Sequence, residues 1–490
     1  MADISQLLRA HDRRRPALID GPRTLTFGEL DDLCDRAARG FLRLGVEPGE
    51  RVAVMVPPSV EFVAAAFGLF RAGAVPVMID PGIGLKHLKR CLDEAEPAWF
   101  LGVAKAVWAR RLLGWAPSAE LLRLEEALQA GVGGGALPQA GDAAAVLFTS
   151  GSTGAPKGAI YTHAMFHEQA RLLREHFGVK AGDVSVPTFP LFALFDVGLG
   201  MTAVLPRMDY TRPGFVDPER IVLPIQRHGA KQLFGSPALI DRVGRYGERH
   251  GVVLPSLERV ISAGAPVPAK VIARFKKLLR PGVPVHTPYG ATEALPVACA
   301  EESLPGYGVC VGRPLPGIEV KVIEISDGPL EALREAPDGE VGELAVRGRV
   351  VSPGYFRRPE ADRLARVGDW HRMGDLGWRD SEGRLWFCGR KSHRVGALYT
   401  IPCEAVFNAH PKVRRTALVG VSGRPVLCVE PEPGASPDDR LTRELLELGA
   451  KQDHTKGITT VLYHPSFPVD IRHNAKIFRE KLAVWAASRL

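Results

Sequence analysis

A chain of 490 residues, 46% hydrophobic and 24% charged, is too long for one simple core and has the composition of an ordinary soluble enzyme, so a large domain and a smaller one are expected. Lys and Arg outnumber Asp and Glu by 63 to 55, a net charge of +8. The basic residues are scattered, with no zinc spacing and no RNA-binding signature, which argues against nucleic acid and for a general attraction toward anionic substrates. Seven widely spaced cysteines (Cys34, Cys91, Cys299, Cys310, Cys388, Cys403, Cys428) show no CxxC or CxH pattern, so reduced thiols in a cytoplasmic protein are expected instead of disulfides or a metal site.

Residues 1–15 are largely polar and charged, unlike the apolar core of a signal peptide. The most apolar stretch, 62–79, is broken by Arg71 and Gly73. It reads as a buried helix (59–72), a glycine stop and a strand (74–79), and not as a membrane span. Gly131-Val132-Gly133-Gly134-Gly135 is a surface connector. Strand-like runs at 51–56, 143–148, 232–234, 259–262 and 283–287 alternate with helix-like segments at 167–177 and 269–279. That alternation predicts an α/β fold with largely parallel sheets flanked by helices. From 319 to 386 the pattern changes to short runs rich in Val, Gly and Pro, a small β subdomain. Near the end, 416–421 suggests a βα-like unit and 476–490 a helix.

The densest chemistry follows the strand-like 143–148: Thr149-Ser150-Gly151-Ser152-Thr153-Gly154-Ala155-Pro156-Lys157-Gly158. Glycines let the backbone turn at positive φ and bring N–H groups close to an anion, hydroxyls add donors, and Lys157 adds a charge. This is a polyphosphate cradle. It is not a Walker loop, because Lys157 follows Pro156 and precedes Gly158, where a Mg²⁺-binding Ser or Thr would be needed.

The run resembles the phosphate loop of the adenylate-forming superfamily (acyl-CoA synthetases, luciferases, nonribosomal-peptide adenylation domains). The resemblance continues in order along almost the whole chain. Leu25-Thr26-Phe27-Gly28-Glu29-Leu30 looks like the first short motif, and Gly264-Ala265-Pro266 like the adenine-side loop. Tyr289-Gly290-Ala291-Thr292-Glu293-Ala294 matches the motif that stacks an aromatic on adenine and sets a carboxylate near Mg²⁺. Gly342-Glu343-Leu344, Gly354-Tyr355, Gly374-Asp375-Leu376-Gly377, Gly389-Arg390 and Asn474-Ala475-Lys476-Ile477 with Arg479 follow.

The family implies ATP and Mg²⁺ as cofactors and a carboxylic acid as the small-molecule substrate. By resemblance, Thr149 to Gly154 and Lys157 hold the β- and γ-phosphates, and Thr292 donates to the α-phosphate. Glu293 holds Mg²⁺, Asp375 accepts from the ribose hydroxyls with Arg390 beside it, and Lys476 bridges the α-phosphate and the acyl oxygen. His163, Phe192, Ala193, Phe195 and Ala263 fall where relatives line the acyl pocket; for His163 a structural place at a helix N-terminus is the alternative. The family also implies a large N-terminal domain of two mostly parallel sheets, 1–391, and a smaller mobile α+β domain, 392–490, joined at a hinge at Ser392.

Three departures narrow this. Ala193 stands where many acyl-CoA synthetases carry an aromatic or histidine gate, leaving room for a bulky or branched acyl group. The hinge segment Arg390-Lys391-Ser392-His393-Arg394-Val395 lacks the acidic residue usual at 393, and Pro402 follows Gly389 by thirteen residues where the family shows about fifteen; either the loop is short or residues are absent from the sequence as given. Ala475 replaces a glycine before Lys476. The hinge loop lines the pantetheine tunnel in thioester-forming relatives, so its change puts a CoA step in doubt. Together these features resemble the β-lactone-forming branch of bacterial long-chain olefin biosynthesis, whose members adenylate a 2-alkyl-3-hydroxy acid and let its hydroxyl displace AMP. That branch implies other enzymes of the same biosynthesis (thiolase-like, dehydrogenase-like, α/β-hydrolase-like) as assembly partners. The alternative is a medium- or long-chain acyl-CoA or acyl-AMP ligase.

Overall fold

Short apolar runs buried on both faces become parallel strands, because helices must then cover both sides of the sheet. The structure, a computed structural model, describes residues 3–149, 156–300, 304–470 and 476–490, the side chains of Pro81 and Thr149 excepted. It divides into two units: Met1–Val297 with Leu315–Ile318 and Gly348–Asp362, and Ala298–Pro314 with Glu319–Arg347 and Arg363–Leu490.

In the first unit a six-stranded sheet runs in the order Glu120–Leu122, Trp99–Gly102, Arg51–Met55, Val75–Ile79, Ala143–Thr149, Lys157–Thr162. All neighbours are parallel except the last pair, an antiparallel edge hairpin. A second sheet orders Val285–Ala291, Arg259–Ile261, Gln232–Phe234, Val184–Pro187, Thr202–Leu205, Pro16–Asp20 and Arg23–Thr26, parallel up to its final antiparallel edge. The expected α/β architecture is therefore present. Local chemistry sets the element ends. Thr26 opens the helix Phe27–Arg43 with a capping box: its hydroxyl accepts the Glu29 N–H while the Glu29 carboxylate accepts the Thr26 N–H. The helix Val60–Arg71 stops at Gly73 (φ +71), whose N–H donates to Phe70 O while Ala74 N–H donates to Leu69 O, a Schellman pair leading into Val75–Ile79. Among the described residues no helix is long and apolar enough to cross a membrane.

The second unit holds the expected β-rich region, antiparallel strands Val309–Pro314, Leu385–Arg390, Trp370–Arg379 and Gly342–Gly348. It also holds a three-stranded sheet, Val413–Val421, Arg424–Pro431 and Thr460–Tyr463, with helices Thr400–Asn408, Asp439–Ala450 and Arg479–Ala487. Three expectations change. The 416–421 run is one arm of a hairpin, not a βα unit: Ser422 (φ +49) and Gly423 (φ +76) form the two-residue turn with both φ positive that matches strand twist. The terminal helix is Arg479–Ala487, not 476–490, because Lys476 and Ile477 are held extended, with Asp470 N–H donating to Lys476 O at 2.8 Å and Val469 bridging Ile477. The helix expected from 167 begins at His163, where the Thr162 hydroxyl caps it by accepting the Met165 N–H.

One buried carboxyl in the first unit sets a pH dependence. Asp196, 2% exposed on the helix Pro190–Gly198, accepts from Gln232 Nε2 at 3.2 Å; Gln232 accepts from Arg259, which pairs with Asp183. Burial pushes the Asp196 carboxyl up to about 7, against the pull of Ser185 and Arg259. Unfolded, it ionises near 3.8. Between those values the folded chain keeps a proton that the unfolded chain has lost, so stability falls as pH rises through that window. Asp196→Asn keeps an oxygen for Gln232 and should gain stability over the native protein as pH climbs from about 4 to about 7, holding the gain above. Urea melts at about pH 5 and about pH 8 check this; an identical difference at both would refute a buried ionisation.

Candidate active site

Pairing of Ala143–Thr149 with Lys157–Thr162 sets Thr149 and Lys157 directly opposite each other at the mouth of the glycine-rich loop. Ser150, Gly151, Ser152, Thr153 and Gly154 lie outside the described residues. Gly158 has to be glycine, because a Cβ there would sit 2.7 Å from Val146 and 2.8 Å from Phe148. Thr292 and Glu293 form the two-residue connection between the strands Val285–Ala291 and Ala294–Ala300. Tyr289 and Gly290 lie at the end of the first arm, where a Cβ on Gly290 would meet Ala294 O at 2.7 Å.

This turn is clamped from several sides. The Tyr161 hydroxyl donates to Thr292 O at 2.7 Å, Ser352 N–H donates to Glu293 O at 2.8 Å, and Gln169 Nε2 donates to Leu295 O at 3.0 Å. The Tyr355 hydroxyl donates to Glu293 Oε1 at 2.6 Å, and the Lys157 ammonium lies 4.8 Å from the centre of the Tyr355 ring. Tyr355 thus joins the lysine of the glycine-rich loop to the carboxylate of the turn. It is brought there because 348–362 returns beside the strand Lys157–Thr162: Ile160 N–H donates to Gly354 O, and Phe356 N–H donates to Gly158 O. A half-buried carboxylate on a turn is a hard oxygen donor of the kind Mg²⁺ takes together with phosphates and water.

Other parts of the first unit frame the carboxyl ends of the parallel strands, where open α/β sheets bind ligands. Ser262, Ala263 and Gly264 leave the strand Arg259–Ile261, Gly264 at φ +99, with Ala265 and Pro266 following. On the helix Pro190–Gly198, Phe192 stacks on Phe234 with ring centroids 3.6 Å apart, Ala193 is fully buried, and Phe195 packs on Phe166. His163 is 2% exposed; its Nδ1 accepts the Ile4 N–H at 3.3 Å and burial lowers its pKa, so it is a neutral histidine tied to the N-terminal segment. Burial also pushes the thiols of Cys34, Cys91, Cys388, Cys403 and Cys428 up to about 12, which removes them as nucleophiles at neutral pH.

In the second unit Asp375 and Arg390 are register partners on adjacent antiparallel strands, with Arg390 Nη1 2.9 Å from Asp375 Oδ1. Asp375 is a buried strand residue, and Gly374 at φ +65 supplies the local twist before it. Lys391 is fixed just after Arg390: its ammonium lies 2.9 Å from both oxygens of Glu343, which is 1% exposed and also pairs with Arg372. Two residues on, His393 Nε2 lies 3.4 Å from Glu480, and burial with the nearby Arg479 lowers its pKa to about 4. Lys476 is exposed, three residues before Arg479, whose Nη2 donates to both oxygens of Glu404 at 2.5 and 2.7 Å. Glu404 also accepts the Leu418 N–H. Sequence reasoning missed Tyr161, Ser352 and Glu404 and left Tyr355 without a role; the ordered Gly354-Tyr355 and Pro402-Cys403-Glu404 were the signals that pointed to the last two.

Removing Arg479 leaves a buried carboxylate uncompensated. Arg479→Ala should destabilise the second unit by about 3–5 kcal/mol, while the double variant Glu404→Leu/Arg479→Leu should recover most of the loss, because an apolar pair avoids the desolvation of both ions. Chemical denaturation of the three proteins decides it, and equal stability of the single variant and the native chain would count against the pair.

A family model described as AMP-binding enzyme matches residues 8–356. The chain is 47% identical to the olefin beta-lactone synthetase of Xanthomonas campestris pv. campestris, over 95% of this chain and 91% of that protein. It is also 47% identical to the olefin beta-lactone synthetase of Stenotrophomonas maltophilia, over 95% and 92%. In fold it is similar to the ATP-bound MatB of Rhodopseudomonas palustris, with a TM-score of 0.84 at 23% identity over 100% of both chains. With 71% of its length under one family model and near-complete alignment to those relatives, the chain belongs to the AMP-binding enzyme family and is an AMP-forming ligase.

Proposed function

We propose that this protein adenylates a 2-alkyl-3-hydroxy long-chain fatty acid and that the substrate's own hydroxyl then closes a β-lactone, releasing AMP and pyrophosphate. The observation that carries this is 47% identity over 95% of the chain to two proteins named olefin beta-lactone synthetase. The altered hinge segment supports it, since an intramolecular acceptor needs no thiol tunnel.

In the first step a carboxylate oxygen bonds to the α-phosphorus of ATP and the bond to pyrophosphate breaks. Two anions meet, so the site must offset their repulsion where charge develops. Thr149, Ser150, Gly151, Ser152, Thr153, Gly154 and Lys157 would hold the β- and γ-phosphates, Thr292 the α-phosphate, and Lys476 the developing charge between phosphate and acyl oxygen. Tyr289 and Gly290 would face the adenine with Gly264, Ala265 and Pro266, and Asp375 with Arg390 the ribose. Mg²⁺ held by Glu293 would neutralise further phosphate charge. In the second step the 3-hydroxyl oxygen bonds to the carbonyl carbon, the bond from that carbon to the phosphate oxygen breaks, and the hydroxyl proton passes to the phosphate of the departing AMP. Tethering can supply effective molarities of about 10⁵–10⁸ M when the geometry is held.

We place the hinge at Ser392, with 1–391 binding ATP and acid and 392–490 carrying Lys476; the fixation of Lys391 on Glu343 supports a pivot immediately after it. The acyl site would draw on Ala263, Phe192, Ala193 and Phe195, and enzymes that make or consume the hydroxy acid and lactone would be its partners in the cytoplasm.

A 3-hydroxy acid with ATP and Mg²⁺ should give AMP, pyrophosphate and a β-lactone by mass spectrometry, with products unchanged by added CoA. A 3-hydroxyacyl-CoA as the main product would restore an acyl-CoA ligase. Lys476→Ala should lower pyrophosphate release roughly 10²–10³-fold while ATP binding changes far less, the usual cost of losing one preorganised charge stabiliser. Near-native turnover in that variant would remove Lys476 from the mechanism.

A further inference from the structure

A helix that covers a sheet normally buries an apolar face and turns a polar one to water. The helix Ala104–Leu113 departs from that division, and none of its ten residues is fully buried. Its inner side is small: half-buried Ala106, Val107 and Ala109 pack on a core that includes Phe100, Trp115, Leu88 and Leu92. The large apolar groups are outside. Trp108 and Leu112, one turn apart, are each 67% exposed, with Val103 and Leu113 exposed at the two ends. Elsewhere among the described residues such side chains stand singly or in twos, as on any soluble protein, whereas here four fall between 103 and 113.

The same stretch is positive. Residues 97–119 hold Lys105, Arg110 and Arg111 and no Asp or Glu. Arg110 turns back to close the helix, donating to the carbonyls of Trp115, Ala116 and Ala119. Lys105 and Arg111, three residues to either side of Trp108, are exposed and form no ion pair among the described residues. On the helix Leu85–Ala95, which packs on the same core, Lys86 and Arg90 are exposed as well. The acids of that segment face other cations: Asp93 pairs with Lys89, Glu94 with Arg358 and Glu96 with Arg357.

A protruding tryptophan and leucine flanked by cations fit a partner that takes apolar bulk and offers negative charge together, without a matching cavity. An anionic lipid surface does both. An indole settles at the headgroup level, a leucine reaches the acyl boundary, and Lys and Arg stretch to lipid phosphates. A nucleic acid has no apolar layer for Leu112, and an acidic protein would need a pocket for each protruding side chain. We propose that the outer face of the helix Ala104–Leu113 is a contact that holds this ligase against anionic lipid. The contact includes none of the residues assigned to ATP or acid, and it stands whichever acid is adenylated.

Flotation of the full chain with vesicles tests this, using phosphatidylcholine alone and phosphatidylcholine with about a third phosphatidylglycerol. The protein should float with the anionic vesicles only, and about 0.5 M NaCl should release it, because salt screens exposed charges. Lys105→Glu/Arg111→Glu should lower partitioning at least about 25-fold, each basic residue near such a surface being worth about fivefold. Trp108→Ser/Leu112→Ser should lower it at least about tenfold through lost apolar burial. Thermal melting should be unchanged in both pairs, as expected of exposed side chains. No native binding, equal binding to both vesicle types, or binding undiminished in both pairs would overturn the proposal. Loss in the charge-reversed pair alone would also overturn it, since charge without insertion describes an acidic protein or nucleic acid. A native dimer in sedimentation that Trp108→Ser/Leu112→Ser dissociates would assign the face to a second copy of the chain instead.

Discussion

A carboxylate at a two-residue turn is useful to chemistry only if the turn cannot move, and the first unit is built around that constraint. Glu293 has neighbouring strands on both sides, yet strand pairing alone leaves its carbonyl, its side chain and the carbonyl of Thr292 to find partners. Tyr161, Ser352 and Tyr355 supply them. Two of the three come from 348–362, which must return across almost two hundred residues of chain to lie beside the strand Lys157–Thr162. Glycine is required at two points of this packing: a Cβ at Gly354 would lie 2.9 Å from Asp362 within the same segment, and one at Gly158 would crowd Val146 and Phe148 on the neighbouring strand.

The second unit meets its constraint with charge. Asp375 with Arg390, Glu343 with Lys391 and Arg372, and Glu404 with Arg479 are all pairs in which at least one carboxylate is nearly inaccessible. Burying ions costs several kcal/mol each, so such pairs contribute little net stability. What they supply is position. Each stands at or within three residues of a group read from the sequence as functional: Arg390, the hinge and Lys476. An apolar pair in the same place would pack as well but would tolerate small slides along the strands, whereas a short charge-assisted hydrogen bond does not.

Much of the fold was legible because it is local. A glycine stop after Arg71 and apolar runs of strand length each act over a few residues, and the elements expected from them form within a few positions of expectation. The errors were local as well. The Ser422-Gly423 turn has the chemistry of a tight hairpin and should have outweighed a guess at a crossover, and the terminal helix starts late because residues 476 and 477 belong to an extended pairing that no helix propensity reveals. Candidate site residues were legible only through the ordered resemblance, since Asp375, Glu293 and Lys476 are individually common residue types. Contacts that cross the chain, such as Tyr355 on Glu293 or Arg479 on Glu404, leave no trace in spacing and emerged only from coordinates.

On the proposed reaction, the demands on the enzyme shift from the acceptor to the substrate. A ligase that hands its adenylate to an external thiol must keep a route open and a loop ready to line it. A tethered hydroxyl arrives with the acid, so nothing needs to enter, and a route from solvent becomes a hazard because water competes for the same carbonyl. A hinge segment that replaces an acidic residue with His393, half enclosed against Glu480 and kept neutral by burial, suits a site that stays closed. The acid, in turn, must be bent so that its hydroxyl oxygen faces the carbonyl carbon, and a chain can be bent only by holding it on both sides of the bend. The helix Pro190–Gly198, with Phe192 stacked on Phe234 and Phe195 packed on Phe166, offers apolar contacts of the kind such holding needs.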